Sequence, residues 1–219
     1  MQQARTITTR QTGLHDKLIE RVNRYRLSRS RRPIAAHTQR AFEDALAWLG
    51  DGAGEIILDS CCGVGESTAK LAERFPAAKV IGLDKSVARL DKHHAYQHEG
   101  SNYRVIRADV NDFWRLAHDN ALTFNRHYLL YPNPYPKPSQ LQKRWYASDV
   151  MPSLMAISNT LEVRSNWLLY LQEFEQAAMC YGVKGNIRNL DGSSPMTPFE
   201  RKYRQSGQQC FALQFENMQ

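Results

Sequence analysis

The chain is 219 residues long, 42% hydrophobic, 10% aromatic and 23% charged, a globular composition that excludes wholesale disorder, collagen-like repeats and a coiled coil. No apolar run approaches the ~18–20 residues of a membrane span, and the polar, Arg-rich N-terminus has no apolar signal core, so a soluble cytoplasmic protein is expected. The net charge of +7 is lopsided: residues 1–40 hold a local +8 against only Asp16 and Glu20, and the remainder sums to −1.

Residues 1–12 read as flexible. Residues 15–27 follow as a basic amphipathic helix with Leu14, Leu18, Val22 and Tyr25 on one face. The segment Arg24-Tyr25-Arg26-Leu27-Ser28-Arg29-Ser30-Arg31-Arg32 interleaves an aromatic ring with guanidinium groups, which suits an RNA backbone with exposed bases. Pro33 opens a second helix, carried by Ile34, Thr38, Phe42, Ala45 and Trp48 at helical spacing and closed by Gly50. From there strands and helices alternate. Strands are predicted at 55–59, 79–84, 103–107, 126–131, 166–171 and 209–215, with helices at 66–75, 86–98, 139–160 and 173–181. The pattern implies an α/β fold, a doubly wound and mostly parallel sheet with its ligand site at the C-terminal ends of the strands.

Three segments fall at those ends. Asp59-Ser60-Cys61-Cys62-Gly63-Val64-Gly65 follows the first strand, where Gly63 and Gly65 allow a tight turn and close approach of a ligand. Asp84 ends the second strand, where a carboxylate can accept both hydroxyls of a ribose, and Asp109 lies just past the third. A dinucleotide fingerprint needs a third glycine where Thr68 stands, so the turn suits S-adenosylmethionine, which has a ribose and a cationic amino acid but no phosphate. The second segment is Tyr131-Pro132-Asn133-Pro134-Tyr135-Pro136-Lys137-Pro138, and the third is Thr197-Pro198-Phe199-Glu200 before the last strand. Cys61, Cys62, Cys180 and Cys210 contain no C-x-x-C pair and read as reduced thiols; His93, His94 and His98 read as a solvated helix face, and no metal site is expected.

In this order the segments resemble the tRNA (guanine-N7)-methyltransferase family, Rossmann-like proteins with a P-D-P-W-x-K type turn after strand four and a T-x-F-E type segment near the C-terminus. The resemblance covers about residues 55–215. It implies residues 51–219 as the methyltransferase domain behind a basic helical N-terminal extension, residues 1–50. It also implies transfer of a methyl group from S-adenosylmethionine to N7 of a variable-loop guanine in tRNA. A monomer is expected. Cofactor contacts are expected at Asp59, Gly63, Gly65, Asp84, Asp109 and Asn133. Asn133, Glu173 and Glu200 are expected at the reacting base, Lys137, Glu173, Thr197 and Glu200 on the guanine side, and Arg24, Arg26, Arg29, Arg31 and Arg32 on the RNA backbone. The chain departs from the family where Asn133 replaces an Asp, Tyr135 a Trp, and Gln172-Glu173 a Thr-Asp; the basic run after the turn shrinks to Lys143 and Arg144. Asn133-Pro134-Tyr135 is also similar to the N-P-P-Y turn of enzymes that methylate exocyclic amines or amides, and a non-catalytic tRNA-binding protein is a third reading.

Overall fold

A computed structural model, describing residues 4–52, 54–93 and 102–218, resolves the alternating signals into one seven-stranded sheet of order β3-β2-β1-β4-β5-β7-β6. The strands are β1 Ile56–Ser60, β2 Lys79–Asp84, β3 Tyr103–Arg107, β4 Arg126–Leu130, β5 Leu161–Ser165, β6 Asn186–Asn189 and β7 Phe211–Phe215. β1 to β5 pair in parallel, and β7 runs antiparallel between β5 and β6. Side chains alternate across the sheet as the strand period requires. Ile57, Val80 and Tyr128 pack on one face, while Leu58, Ile81 and Leu129 pack on the other.

The helices are α1 Leu18–Arg26, α2 Ala36–Leu49, α3 Glu66–Arg74, α4 Val87–Leu90, α5 Val110–Asp119, α6 Met151–Ile157, α7 Leu168–Met179 and α8 Pro198–Gln205. None of the described helices is long and apolar enough to cross a membrane. Apolar residues of α1, α2, α5, α6 and α7 share one core on one face of the sheet, and α3 joins the core of the other. Phe42 of α2 meets Phe113 of α5 edge-on at 5.1 Å, and Leu18 and Val22 of α1 are each only 1% exposed. The two N-terminal helices are thus structural members of the fold rather than a detached extension. Nor is the segment before them loose. Residues 4–17 run as an exposed or half-buried strap, tied by Ala4 N–H to Ser206 Oγ (2.9 Å) and by Thr9 Oγ1 to the Pro136 carbonyl (2.5 Å).

The fifth strand lies at 161–165, not at 166–171. Ser165 Oγ accepts from Trp167 N–H (3.0 Å) and turns the chain there. The apolar run beginning at Trp167 instead starts α7, with Tyr170, Leu171, Phe174, Ala177 and Ala178 buried at helical spacing. A short apolar run carries no period of its own, which is why it reads equally as a strand. The helix expected over 139–160 is broken into 3₁₀ turns at Pro138–Lys143 and Trp145–Ala147 followed by α6. The break is at Arg144, extended at φ −79° and ψ 131°, which turns its guanidinium into the interior. Of the helix expected at 86–98, α4 is present, and His94 and His98 lie outside the described residues.

Candidate active site

The C-terminal ends of β1, β2, β3 and β4 lie side by side, and non-glycine residues in left-handed backbone gather there: Cys61 at φ 62°, Tyr131 at 53° and Tyr135 at 46°. Such conformations persist where surroundings over-determine them, and they concentrate at functional sites. Tyr131 and Tyr135 bracket Asn133, which is exposed on the turn between them.

Asp59 is completely buried at the end of β1. Its Oδ2 accepts from Ser67 Oγ (2.6 Å) and Thr68 Oγ1 (2.7 Å), while Oδ1 has no hydrogen-bond partner among the described residues. Burial pushes its pKa up to about 6, the two hydroxyl donors pull it back, and the nearby Asp84 charge adds to the rise. Gly63 has φ +64° and, among the described residues, nothing within 4 Å of where a side chain would begin, so the turn leaves a ligand room against bare backbone. An unsatisfied buried carboxylate oxygen beside this space fits a ligand bearing a positive charge, and two carboxylates there disfavour a phosphate.

Asp84 is buried as well. Its Oδ2 accepts from Gly63 N–H (3.1 Å), and its Oδ1 accepts from Ser86 N–H (2.8 Å) and pairs with Arg89 at 3.1 Å. A ribose hydroxyl at Oδ1 therefore competes with Arg89. Asp109 caps α5 through Oδ1, which accepts from Asn111 N–H (3.0 Å) and Asp112 N–H (3.4 Å). Gly65 is covered by the His93 ring: a side chain there would begin 2.2 Å from Nδ1. Thr68 fills the position of the missing third glycine, and the close helix–strand contact is achieved from the other side by Gly82, where a side chain would begin 2.3 Å from Thr68 Oγ1. Cys61 and Cys62 are free thiols whose pKa burial pushes up, that of Cys61 to about 12, which favours the protonated thiol over the thiolate.

Beneath these ends lies a buried polar chain. Trp114 Nε1–H donates to Ser60 Oγ (2.9 Å), Ser60 Oγ and His127 Nε2 lie 2.8 Å apart, His127 Nδ1 lies 2.8 Å from Ser158 Oγ, and Ser158 donates to the Leu154 carbonyl (2.8 Å). Because both ends of the chain fix the direction of donation, His127 is neutral with its proton on Nδ1. Burial holds its pKa down near 3.

The carboxylates expected at the guanine are enclosed in the described structure. Glu173 and Arg144 are both 0% exposed and ion-paired. Glu173 Oε2 also accepts from Tyr146 Oη (2.5 Å), and its Oε1 accepts from Gln11 Nε2 and His15 N–H, each at 2.7 Å. With four donors its lone pairs are filled. Arg144 donates through Nε and Nη2 to the Tyr135 carbonyl (3.2 and 3.1 Å), through Nη2 to Gln11 Oε1 (2.9 Å), and lies 5.1 Å over the Trp167 ring. Arg144 thus ties the Asn133 turn to Glu173. Nothing in its sequence position singles it out beyond a shortened basic run.

Glu200 is also 0% exposed, paired with Arg164 Nη1 (3.0 Å) and Arg204, and its Oε2 accepts from Met196 N–H (3.3 Å). Thr197 Oγ1 caps α8 by accepting from Glu200 N–H (3.0 Å). These two residues therefore seat α8 against β5, a role legible in the S/T-x-x-E capping signature. Lys137 is exposed on the Asn133 turn, near Lys143, which lies 5.8 Å over the Tyr135 ring.

The five arginines of the basic segment are all exposed but lie elsewhere. Arg26 donates to the Cys180 carbonyl (2.6 Å) at the C-terminal end of α7, and Arg29 lies 3.9 Å from Asp119 at the C-terminal end of α5. Both helices run back from the strand ends, so Arg26 and Arg29 lie about a helix length, ~15 Å, behind that edge, whereas beyond Arg31 and Arg32 the chain returns to Ala35, whose N–H donates to Asp112 (2.9 Å) in the first turn of α5.

A family model described as "Putative methyltransferase" matches residues 53–213. A tRNA (guanine-N(7)-)-methyltransferase of Mycolicibacterium gilvum is 31% identical over 116 residues, 49% of this chain and 43% of that one. One from Thermotoga maritima is 25% identical over 169 residues, 73% of this chain and 53% of that one. This chain thus spans about half the length of the curated relatives it matches. Among solved structures, a 16S rRNA (adenine(1408)-N(1))-methyltransferase from Catenulisporales acidiphilia, with cosubstrate S-adenosylmethionine, superposes with a TM-score of 0.55 at 16% identity, covering 78% of this chain and 88% of that one.

Proposed function

The chain belongs to the tRNA (guanine-N7)-methyltransferase family, with S-adenosylmethionine as cofactor, and we propose that it transfers the cofactor's methyl group to N7 of a guanine in tRNA. The observation that carries this reading is the juxtaposition, at one sheet edge, of Asp59 with its unsatisfied oxygen and an Asn133 turn held from behind by Arg144. Asp59 and Gly63 hold the methionine end, Asp84 the ribose once Arg89 yields, and Asp109 the adenine side. When bound, the cofactor supplies an electrophilic methyl group.

Guanine N7 carries a free lone pair and has no proton to lose, so no general base is required. Rate then comes from in-line placement and exclusion of water. A neutral amide at Asn133 suffices for such placement, so replacement of the family's aspartate is compatible with turnover. Glu173 and Arg144 form the guanine side of the site. Thr197 and Glu200 act as positioning residues through α8, and Lys137 with Lys143 meets the RNA backbone near the base. Arg24, Arg26, Arg29, Arg31 and Arg32 form a second backbone contact.

The test is a nucleoside digest of tRNA incubated with the chain and S-adenosylmethionine. We expect 7-methylguanosine. Methylation confined to an exocyclic amine would redirect the chemistry, and tRNA binding without any methylated nucleoside would reduce the chain to an RNA-binding protein.

A further inference from the structure

The strap over the candidate site presents a side chain with a particular hydrogen-bonding face. Gln11 lies between Arg144 and Glu173: its Oε1 accepts from Arg144 Nη2 at 2.9 Å, and its Nε2 donates to Glu173 Oε1 at 2.7 Å. His15 N–H supplies a second donor to the same carboxylate oxygen, also at 2.7 Å. A guanine offers this sequence on its Watson–Crick edge: the O6 acceptor, the N1–H donor and the exocyclic amine donor. An adenine offers a donor where O6 would be and an acceptor at N1, which would face a guanidinium with a donor and a carboxylate with an acceptor.

We propose that residues 4–15 are a pseudosubstrate strap, in which the Gln11 amide and the His15 N–H occupy the guanine-reading pair Arg144 and Glu173 until a guanine displaces them. The proposal rests on guanine as the target base. Three observations support displacement rather than permanent closure. None of residues 4–17 is fully buried, whereas Leu18 is 1% exposed, so the half-buried Ile7 is the one large apolar side chain that lifting the strap would uncover. Its remaining ties are isolated polar contacts, Ala4 to Ser206 and Gln208 and Thr9 to Pro136, and the exposed Gly13 divides it from α1. Finally, the pair it covers is a fully enclosed ion pair, and burying two charges costs free energy that an apolar pair of similar volume would not. Retaining charge under a removable cover fits a reader, and Arg144 links that reader to the Asn133 turn through the Tyr135 carbonyl.

The experiment uses the full chain and two readouts. The first is limited trypsin cleavage at the exposed Arg10 with guanosine 5′-monophosphate or adenosine 5′-monophosphate added. Guanosine monophosphate is expected to accelerate cleavage several-fold and adenosine monophosphate to leave it unchanged. No acceleration, or equal acceleration by both, overturns the proposal. The second is Gln11→Ala in methyl transfer, where KM for tRNA is expected to fall by about tenfold or more, the effect of removing two competing charge-assisted hydrogen bonds, to Arg144 and to Glu173, with unchanged affinity for S-adenosylmethionine. A rise in KM would make the strap a structural clamp and overturn the proposal. The cleavage assay needs no turnover. Guanine-dependent cleavage without 7-methylguanosine would therefore refute the assigned reaction alone, and 7-methylguanosine without such cleavage would refute the strap alone.

Discussion

Replacing Asp59 by Asn isolates the cost of keeping a carboxylate under the cofactor turn. The side chain is 0% exposed, and its pKa rises from 3.8 to about 6 in the folded chain. The fold therefore favours the protonated form: that stabilisation is complete below pH 3.8 and is lost as pH rises through about 6. At ~1.4 kcal/mol per unit, the ionised carboxylate is penalised by about 3 kcal/mol above pH 6. Asn keeps an oxygen to accept from Ser67 and Thr68 and carries no charge, so the stability of D59N relative to the parent should grow by up to about 3 kcal/mol between about pH 4 and about pH 7.5. Urea denaturation of both proteins across this range measures it, and the other titrating groups cancel in the difference. The same ionised oxygen that destabilises the free protein should attract a cation. Parent affinity for S-adenosylmethionine should accordingly tighten as pH rises through about 6, and D59N should bind weakly with a flat pH profile. A stability difference that is constant with pH, or cofactor affinity that is equally pH-dependent in D59N, would refute the reasoning.

His127 acts in the opposite direction. Its folded pKa is lowered from 6.5 to about 3, so stability should fall as pH drops below 6.5, by about 2 kcal/mol at about pH 5, a slope best measured in the D59N background and absent from H127N. At Gly82, Ala would place a carbon 2.3 Å from Thr68 Oγ1; G82A should lose about 1–3 kcal/mol in denaturant titrations, and less when the same change is made in a T68A background, which lacks that oxygen. G63A meets no neighbour but must hold φ +64°, so it should lose only about 1 kcal/mol of stability while weakening cofactor binding by a larger factor in calorimetry. Replacing Arg24, Arg26, Arg29, Arg31 and Arg32 together by Gln should weaken tRNA binding and flatten its log–log salt slope by about 0.7–0.9 per lost phosphate contact, whereas deleting residues 1–32 should unfold the chain by stripping Leu18 and Val22 from the core.

Sequence reading located β1 to β4 and β7 because each carries both a residue pattern and a boundary: a Gly-bearing turn after Ser60, Asp84 and Asp109 at strand ends, prolines after Leu130. It failed where a long-range contact overrode a local pattern. Arg144 interrupts a plausible helix because its guanidinium reaches Glu173, 29 positions away, and no local propensity encodes that. Residues 4–17 contain nothing apolar enough to predict order, and their order comes from partners at Pro136, Glu173 and Ser206. The edge strand Asn186–Asn189 was missed for a similar reason: Ile187 alone of its four residues is apolar, and β7 recruits it through backbone pairing. The basic segment was legible as charge but not as location, since the packing of Leu18 and Val22 decides on which side the arginines emerge.

The three carboxylates that the motifs nominate show why a position in a motif does not fix a role. A carboxylate offers about four acceptor positions, so counting donors separates the roles. Glu200 takes three donors, from Arg164 on β5, from Arg204 on α8 and from the Met196 N–H, and so joins α8 to the sheet, a structural use of its capacity. Asp59 has two hydroxyl donors on one oxygen and, among the described residues, none on the other, so one of its oxygens, buried as it is, has its acceptor capacity unspent. Glu173 is intermediate: Arg144 and Tyr146 are fixed in the core, but Gln11 and the His15 N–H arrive from a strap with no buried side chain. Half of its donors are thus removable at little cost to the core, and the oxygen they leave, Oε1, is an acceptor beside a guanidinium. The same carboxylate is saturated with the strap down and selective for a donor pair with the strap lifted.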